Sequence, residues 1–119
     1  MNALTPQMDL LSKLMDVAEL RHHVIAQNVA NVNTPGYRRQ EVVFEDALAD
    51  ALRHGSDRAA VRLEPQIVDA AAESTRADGN TVDIDDEMGR LDKNSILYRM
   101  FTQILTSQIA TMRSAIKGQ

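Results

Sequence analysis

The chain has 119 residues, 44% of them hydrophobic and 25% charged, with a net charge of -4 and no Cys. This is one domain's worth of ordinary folded protein. It leaves no disulfide, thiolate metal site or Cys nucleophile, argues against a general nucleic-acid partner, and has no apolar run near the roughly 20 residues of a membrane span.

The first expected element is a helix over residues 5–33. Leu4, Met8, Leu11, Met15, Ala18, His22, Ile25, Val29 and Val32 recur in alternating steps of four and three. That is a heptad seam. Leu10, Leu14, Val17 and Val24 form a second apolar row. Thr5-Pro6 supplies a cap and a first-turn Pro. Thr34-Pro35 sets the outer limit, because the residue before Pro avoids the α region. A membrane-surface helix would need a basic polar face, and residues 7–31 carry only Lys13 and Arg21 as basic groups. Direct lipid binding is therefore not expected.

Residues 34–82 are expected to be turn, extended chain and loop. Asn31 and Asn33 suit a helix end, and Pro35-Gly36 fits the centre of a type II turn. Tyr37 to Phe44 is short and β-prone. Glu45 to Arg53 reads as a short helix. His54 to Ala77 has no sustained period and reads as loop or extended chain. Asp78-Gly79-Asn80 signals a turn.

The last expected element is a helix over residues 83–117. Ile84, Met88, Leu91, Ser95, Tyr98, Thr102, Leu105, Ile109, Met112 and Ile116 repeat the four-three steps. Asp83, Asp85, Asp86 and Glu87 lie at its start, and Arg113 and Lys117 at its end, in the order that complements the helix dipole. Gly118 can stop it. The fold class expected is mainly α: long N- and C-terminal helices paired as an antiparallel coiled coil around a short extended or irregular middle, all in one unit over residues 1–119. The seam residues are Leu11, Met15, Ile25, Leu105, Ile109 and Met112. The second apolar rows need a further partner, from the middle segment or from other copies of the chain.

No catalytic constellation stands out. His22 and His23 are adjacent, so on a helix they point about 100° apart and cannot grip one metal. The run Asp83–Glu87 has calcium-loop spacing at first sight, but Met88 and Asn94 stand where that loop needs Gly and Glu. No cofactor and no metal is expected.

The stretch Asn28-x-Ala30-Asn31-x-x-Thr34-x-Gly36-Tyr37 resembles the N-terminal signature of the flagellar rod, hook and hook-associated axial proteins. The stretch from Asp78 to Met88 is similar to the segment before the C-terminal helix of short proximal rod subunits, and the tail Arg113-Ser114-Ala115-Ile116 agrees. The resemblance covers nearly the whole chain and is to the flagellar basal-body rod protein family. It implies a non-catalytic structural subunit of the proximal rod. It implies Asn28, Ala30, Asn31, Thr34, Gly36 and Tyr37 as the assembly motif. Its partners would be copies of itself, other rod subunits, proteins at the junction with the membrane ring, and the flagellar type III export apparatus. Export would be without a cleaved signal peptide, and the N-terminal residues carry charges through their apolar stretch and no cleavage-site pattern. The expectation from another class is a soluble helical binding module, such as an export chaperone or adaptor.

Overall fold

The computed structural model describes residues 5–72 and 74–118. Leu4, the first expected seam position, lies outside them. Two long helices dominate: α1, Pro6–Ala30, and α4, Ile84–Lys117. Between them run β1 (Gln40–Val43), α2 (Glu45–His54), α3 (Asp57–Val61) and β2 (Gln66–Asp69). The molecule is elongated, 64 × 30 × 19 Å, because α4 alone, with 34 residues, is about 51 Å long at 1.5 Å per residue.

The helix ends are fixed by local chemistry. The Thr5 hydroxyl accepts from Met8 N–H at 3.0 Å, with Pro6 following it, which satisfies one of the free first-turn donors. The Asp83 side chain caps α4 by accepting from Asp85 N–H (3.0 Å) and Asp86 N–H (3.3 Å). Gly118 closes α4 with φ +73°, the left-handed turn that glycine adopts without a Cβ penalty.

α1 stops at Ala30, short of the expected residue 33. Residues 31–36 are turns, and the Asn31 amide donates back to the Gln27 carbonyl at 2.8 Å. Long-range partners then take the backbone carbonyls beyond the helix end. The segment after His54 is also more ordered than its lack of period suggests. It holds α3, capped by Ser56, and β2, which pairs antiparallel with β1 in the register Gln40↔Asp69 to Val43↔Gln66.

The core lies between α1 and this middle layer. Val17, Val24, Val42 and Phe44 are buried together, with Leu14, Leu20, Leu48 and Leu63 packed around them. Each fully buried side chain of this kind contributes about 1.5–3 kcal/mol. Phe44 is the aromatic member of this cluster, and its other side chains are aliphatic.

α1 and α4 are tied at two points. Asn28 of α1 bonds Glu87 of α4, and Asn94 of α4 donates to the Ala18 carbonyl at 2.7 Å. The contacts therefore run in opposite order along the two helices. The α4 face turned to α1 carries Glu87 and Asn94, both buried and seven residues apart. Ile84 and Met88, expected on the seam, are exposed. The distal half of α4 has no buried residue, and Ile116 is 83% exposed.

Candidate assembly site

The chain following α1 makes a tight turn. Tyr37 N–H donates to the Thr34 carbonyl at 3.2 Å across Pro35-Gly36. Gly36 sits at φ +72°, as the third position of a type II turn requires. Thr34 Oγ1 donates to Asn31 Oδ1 at 3.0 Å within the same turn. Ala30 is the last helical residue.

A second turn, from Arg76 to Asn80, lies against the first. Gly36 N–H donates to the Asp78 carbonyl at 2.8 Å, and Thr81 N–H to the Tyr37 carbonyl at 3.0 Å. Gly79 has φ +82°, and a Cβ there would lie 3.4 Å from Gly36 Cα. The two glycines thus serve both backbone geometry and close approach. Asn80, fully buried, is the plug between them. Its Nδ2 donates to the carbonyls of Asn31 (2.9 Å), Val32 (3.2 Å) and Thr34 (2.8 Å), while its Oδ1 accepts from Val82 N–H at 2.7 Å. Arg76 adds a bond to the Val32 carbonyl. The carbonyls past the end of α1 are satisfied by residues more than forty positions later, which removes a cost of about 1–3 kcal/mol per stranded buried group.

Beneath the turns lies a buried polar cluster. The Asn28 side chain mimics a strand: Nδ2 donates to the Gln40 carbonyl at 2.8 Å and Oδ1 accepts from Gln40 N–H at 3.0 Å. The same Oδ1 accepts from the Tyr37 hydroxyl at 3.2 Å. Glu87, at 0% exposure, accepts from Asn28 Nδ2 (3.2 Å), Arg39 Nε and Arg90 Nη1 (3.3 Å). Arg39 N–H donates to Thr81 Oγ1 at 2.9 Å. Burial, and after it the Glu87 and Asp69 carboxylates, push the Tyr37 phenol above its usual pKa near 10.

The arrangement is a clasp. One half is residues 28–40, the other residues 76–90, and α1, β1 and α4 meet in it. Its groups satisfy one another, and among the described residues no His, Asp or Glu cluster could hold a metal ion.

Asn28, Asn31, Thr34, Gly36 and Tyr37 thus come together in one place. The seam residues do not share one environment. Leu11 and Ile25 are buried, Met15, Leu105 and Met112 are half-buried, and Ile109 is exposed. Sequence reasoning missed Arg39 and Asn94, and it placed Asn80, Thr81 and Glu87 in the Asp78–Met88 stretch without foreseeing their burial. A further signal was the seven-residue spacing from Glu87 to Asn94, hidden because both are polar.

Residues 19–38 match the family model described as flagella basal body rod protein. The chain is 32% identical to the flagellar basal body rod protein FlgB of Borrelia hermsii over 135 aligned positions, covering 98% of this chain and all of the relative. It is 30% identical to FlgB of Escherichia coli K12, covering 82% and 83%. To FlgB of Bacillus subtilis 168 it is 26% identical, covering 91% of each. The matched segment holds the Asn28–Tyr37 turn and ends just before Arg39 and Gln40 of the clasp.

Proposed function

The chain belongs to the FlgB family of flagellar basal body rod proteins, and on that premise we propose that it forms the proximal part of the rod, packed against copies of itself and other rod subunits, and helps pass torque outward. Its relatives are named as rod proteins, so it is a structural subunit of the flagellar basal body and not an enzyme. The export chaperone or adaptor reading is set aside by the same relatives.

The clasp supports this reading most strongly. A rod under torque needs a fixed angle between its long helices and the layer beside them. Here the family-matched turn is locked to the start of α4 through Asn28, Asn80, Arg39 and Glu87, all buried. The distal half of α4 is left apolar and uncovered at Ile104, Ile109 and Ile116. Exposed large apolar side chains on a helix end left without a partner suit an interaction face. In the assembled rod the α1–α4 pair is an antiparallel coiled coil, and Leu11, Met15, Ile25, Leu105, Ile109 and Met112 supply its contacts within and between subunits. Asn28, Ala30, Asn31, Thr34, Gly36 and Tyr37 set the handover from helix to strand. Further partners are proteins at the ring–rod junction and the type III export apparatus, through which the chain travels without a cleaved signal. No helix among the described residues is long and apolar enough to cross a membrane.

The test is composition of purified basal bodies. A rod subunit stays with the rings and rod after detergent extraction and is detected there by mass spectrometry. A chain found only in the soluble fraction, as a stable helical dimer by circular dichroism and size exclusion, contradicts the proposal.

A further inference from the structure

Asn94 weakens the helix pair it sits in. It is 3% exposed, its Nδ2 donates to the Ala18 carbonyl at 2.7 Å, and its Oδ1 is buried with no hydrogen-bond partner. A buried acceptor left without a donor destabilises a fold by its desolvation penalty. The bond that Asn94 does make is not one that α1 needs. Ala18 lies in the interior of α1, where the N–H four residues on, that of His22, serves its carbonyl. Asn94 uses only the second lone pair. Asn94→Leu would therefore strand nothing on α1, remove the orphaned oxygen and bury more apolar surface.

What the bond does depend on is the partner helix. A side-chain amide reaches a helix carbonyl where the residue over that carbonyl is small. Among the buried residues of α1, which include Met8, Leu11, Val24 and Ile25, Ala18 is the one alanine. α4 offers no such site beside Asn94. Its alanines, Ala110 and Ala115, lie toward its C-terminal end. Gly89 lies about 140° round the helix from Asn94, at 100° per residue. A second α4 packed on the row that carries Asn94 would set the amide against side chains such as Leu91, Phe101 or Leu105, and neither end of it would find a partner. In other respects α4 is suited to pair with itself: Ile96, Met100 and Ile104 are exposed at four-residue steps.

We propose that Asn94 selects the partner of α4. It lowers stability, and in exchange α4 pairs with its own α1, through the bare carbonyl at Ala18, and not with α4 of a second copy. A single buried Asn fixes register and partner in helix pairs by the same means, at a cost in stability. The clasp does not make this choice. It holds the first turns of α4, at Glu87 and Arg90, and leaves the apolar positions beyond without discrimination. Asn94 lies about two turns past Glu87, among those positions. The choice concerns the free chain and stands apart from the rod reading.

The test uses the purified full chain in two differently tagged forms. They are mixed in urea, refolded together and drawn out through one tag, and the other tag is then measured. Unfolding midpoints in urea are taken on each form alone. Asn94→Leu is expected to raise the midpoint and to increase the mixed-tag complex several-fold over the native chain. Ser95→Leu adds an apolar side chain one residue on and keeps the amide, and it should leave the mixed-tag complex at the native level. A midpoint that falls on Asn94→Leu overturns the proposal. So does a rise without a gain in mixed-tag complex, or an equal gain from Ser95→Leu.

Discussion

Replacing Glu87 by alanine removes the one anion shared by both halves of the clasp. Glu87 is fully buried, and the Arg39 side chain beside it is 9% exposed. Without Glu87, Arg39 keeps only Glu41 at 3.6 Å, a partner 46% exposed and therefore weak. Arg90 is 38% exposed and water screens its loss. Asn28 Nδ2 retains the Gln40 carbonyl. The cost thus comes chiefly from stranding Arg39, about 3–5 kcal/mol for one partner removed from a buried pair. Against a total stability of about 5–15 kcal/mol, this brings the fold close to its limit. The assay is urea unfolding of the purified full chain, followed by circular dichroism. A double variant isolates the cause: Glu87→Leu with Arg39→Met replaces the pair by apolar groups, which is often nearly neutral. It should recover most of the loss. A Glu87→Ala loss under about 1 kcal/mol, or a double variant no more stable than Glu87→Ala, refutes the clasp as the element that joins α1, β1 and α4.

Gly36→Val forces a β-branched residue to φ +72°, costing more than the roughly 1–2 kcal/mol of an ordinary left-handed residue; no atom lies within 4 Å of its Cβ position, so the cost is in the backbone. It should block incorporation into basal bodies, and a motile Gly36→Val strain would contradict that. Ile109→Asp changes an exposed residue, so the free chain keeps its stability within about 0.5 kcal/mol. Assembly is nonetheless abolished, because a lone charge is buried between subunits; normal rods built from that variant would contradict the contact. Tyr37 is held neutral in the fold, with its pKa raised above 10. The folded state then binds more protons than the unfolded state once pH passes 10, so stability is complete below pH 10 and falls as pH rises through the higher folded value. Unfolding midpoints across that range should fall more for the native chain than for Tyr37→Phe, and equal falls would remove Tyr37 from the account.

Both starts of the long helices and the end of α4 were legible because caps are local, whereas α1 stops three residues before the expected end. Thr5-Pro6, Asp83 and Gly118 each act within a few residues of themselves. The Pro35-Gly36 turn was legible for the same reason. The clasp was not, since Asn80 and Glu87 reach partners 46 to 59 residues away and neither residue type announces burial. Periodicity found an apolar row on α4 whose burial is mixed: Ile84, Met88, Ile109 and Ile116 are exposed, while Leu91, Leu105 and Met112 are half-buried. The row facing α1 is marked by polar Glu87 and Asn94, which an apolar pattern search skips. Strand β2 was hidden because all four of its residues are exposed, leaving no buried alternation to detect.

The central claim is that this chain builds the rod, and electron microscopy of basal bodies tests it most directly. Basal bodies would be isolated from cells lacking every copy of the gene. The account predicts membrane rings without a rod, hook or filament, restored when the gene is returned. Complete rods and hooks in those cells would contradict it.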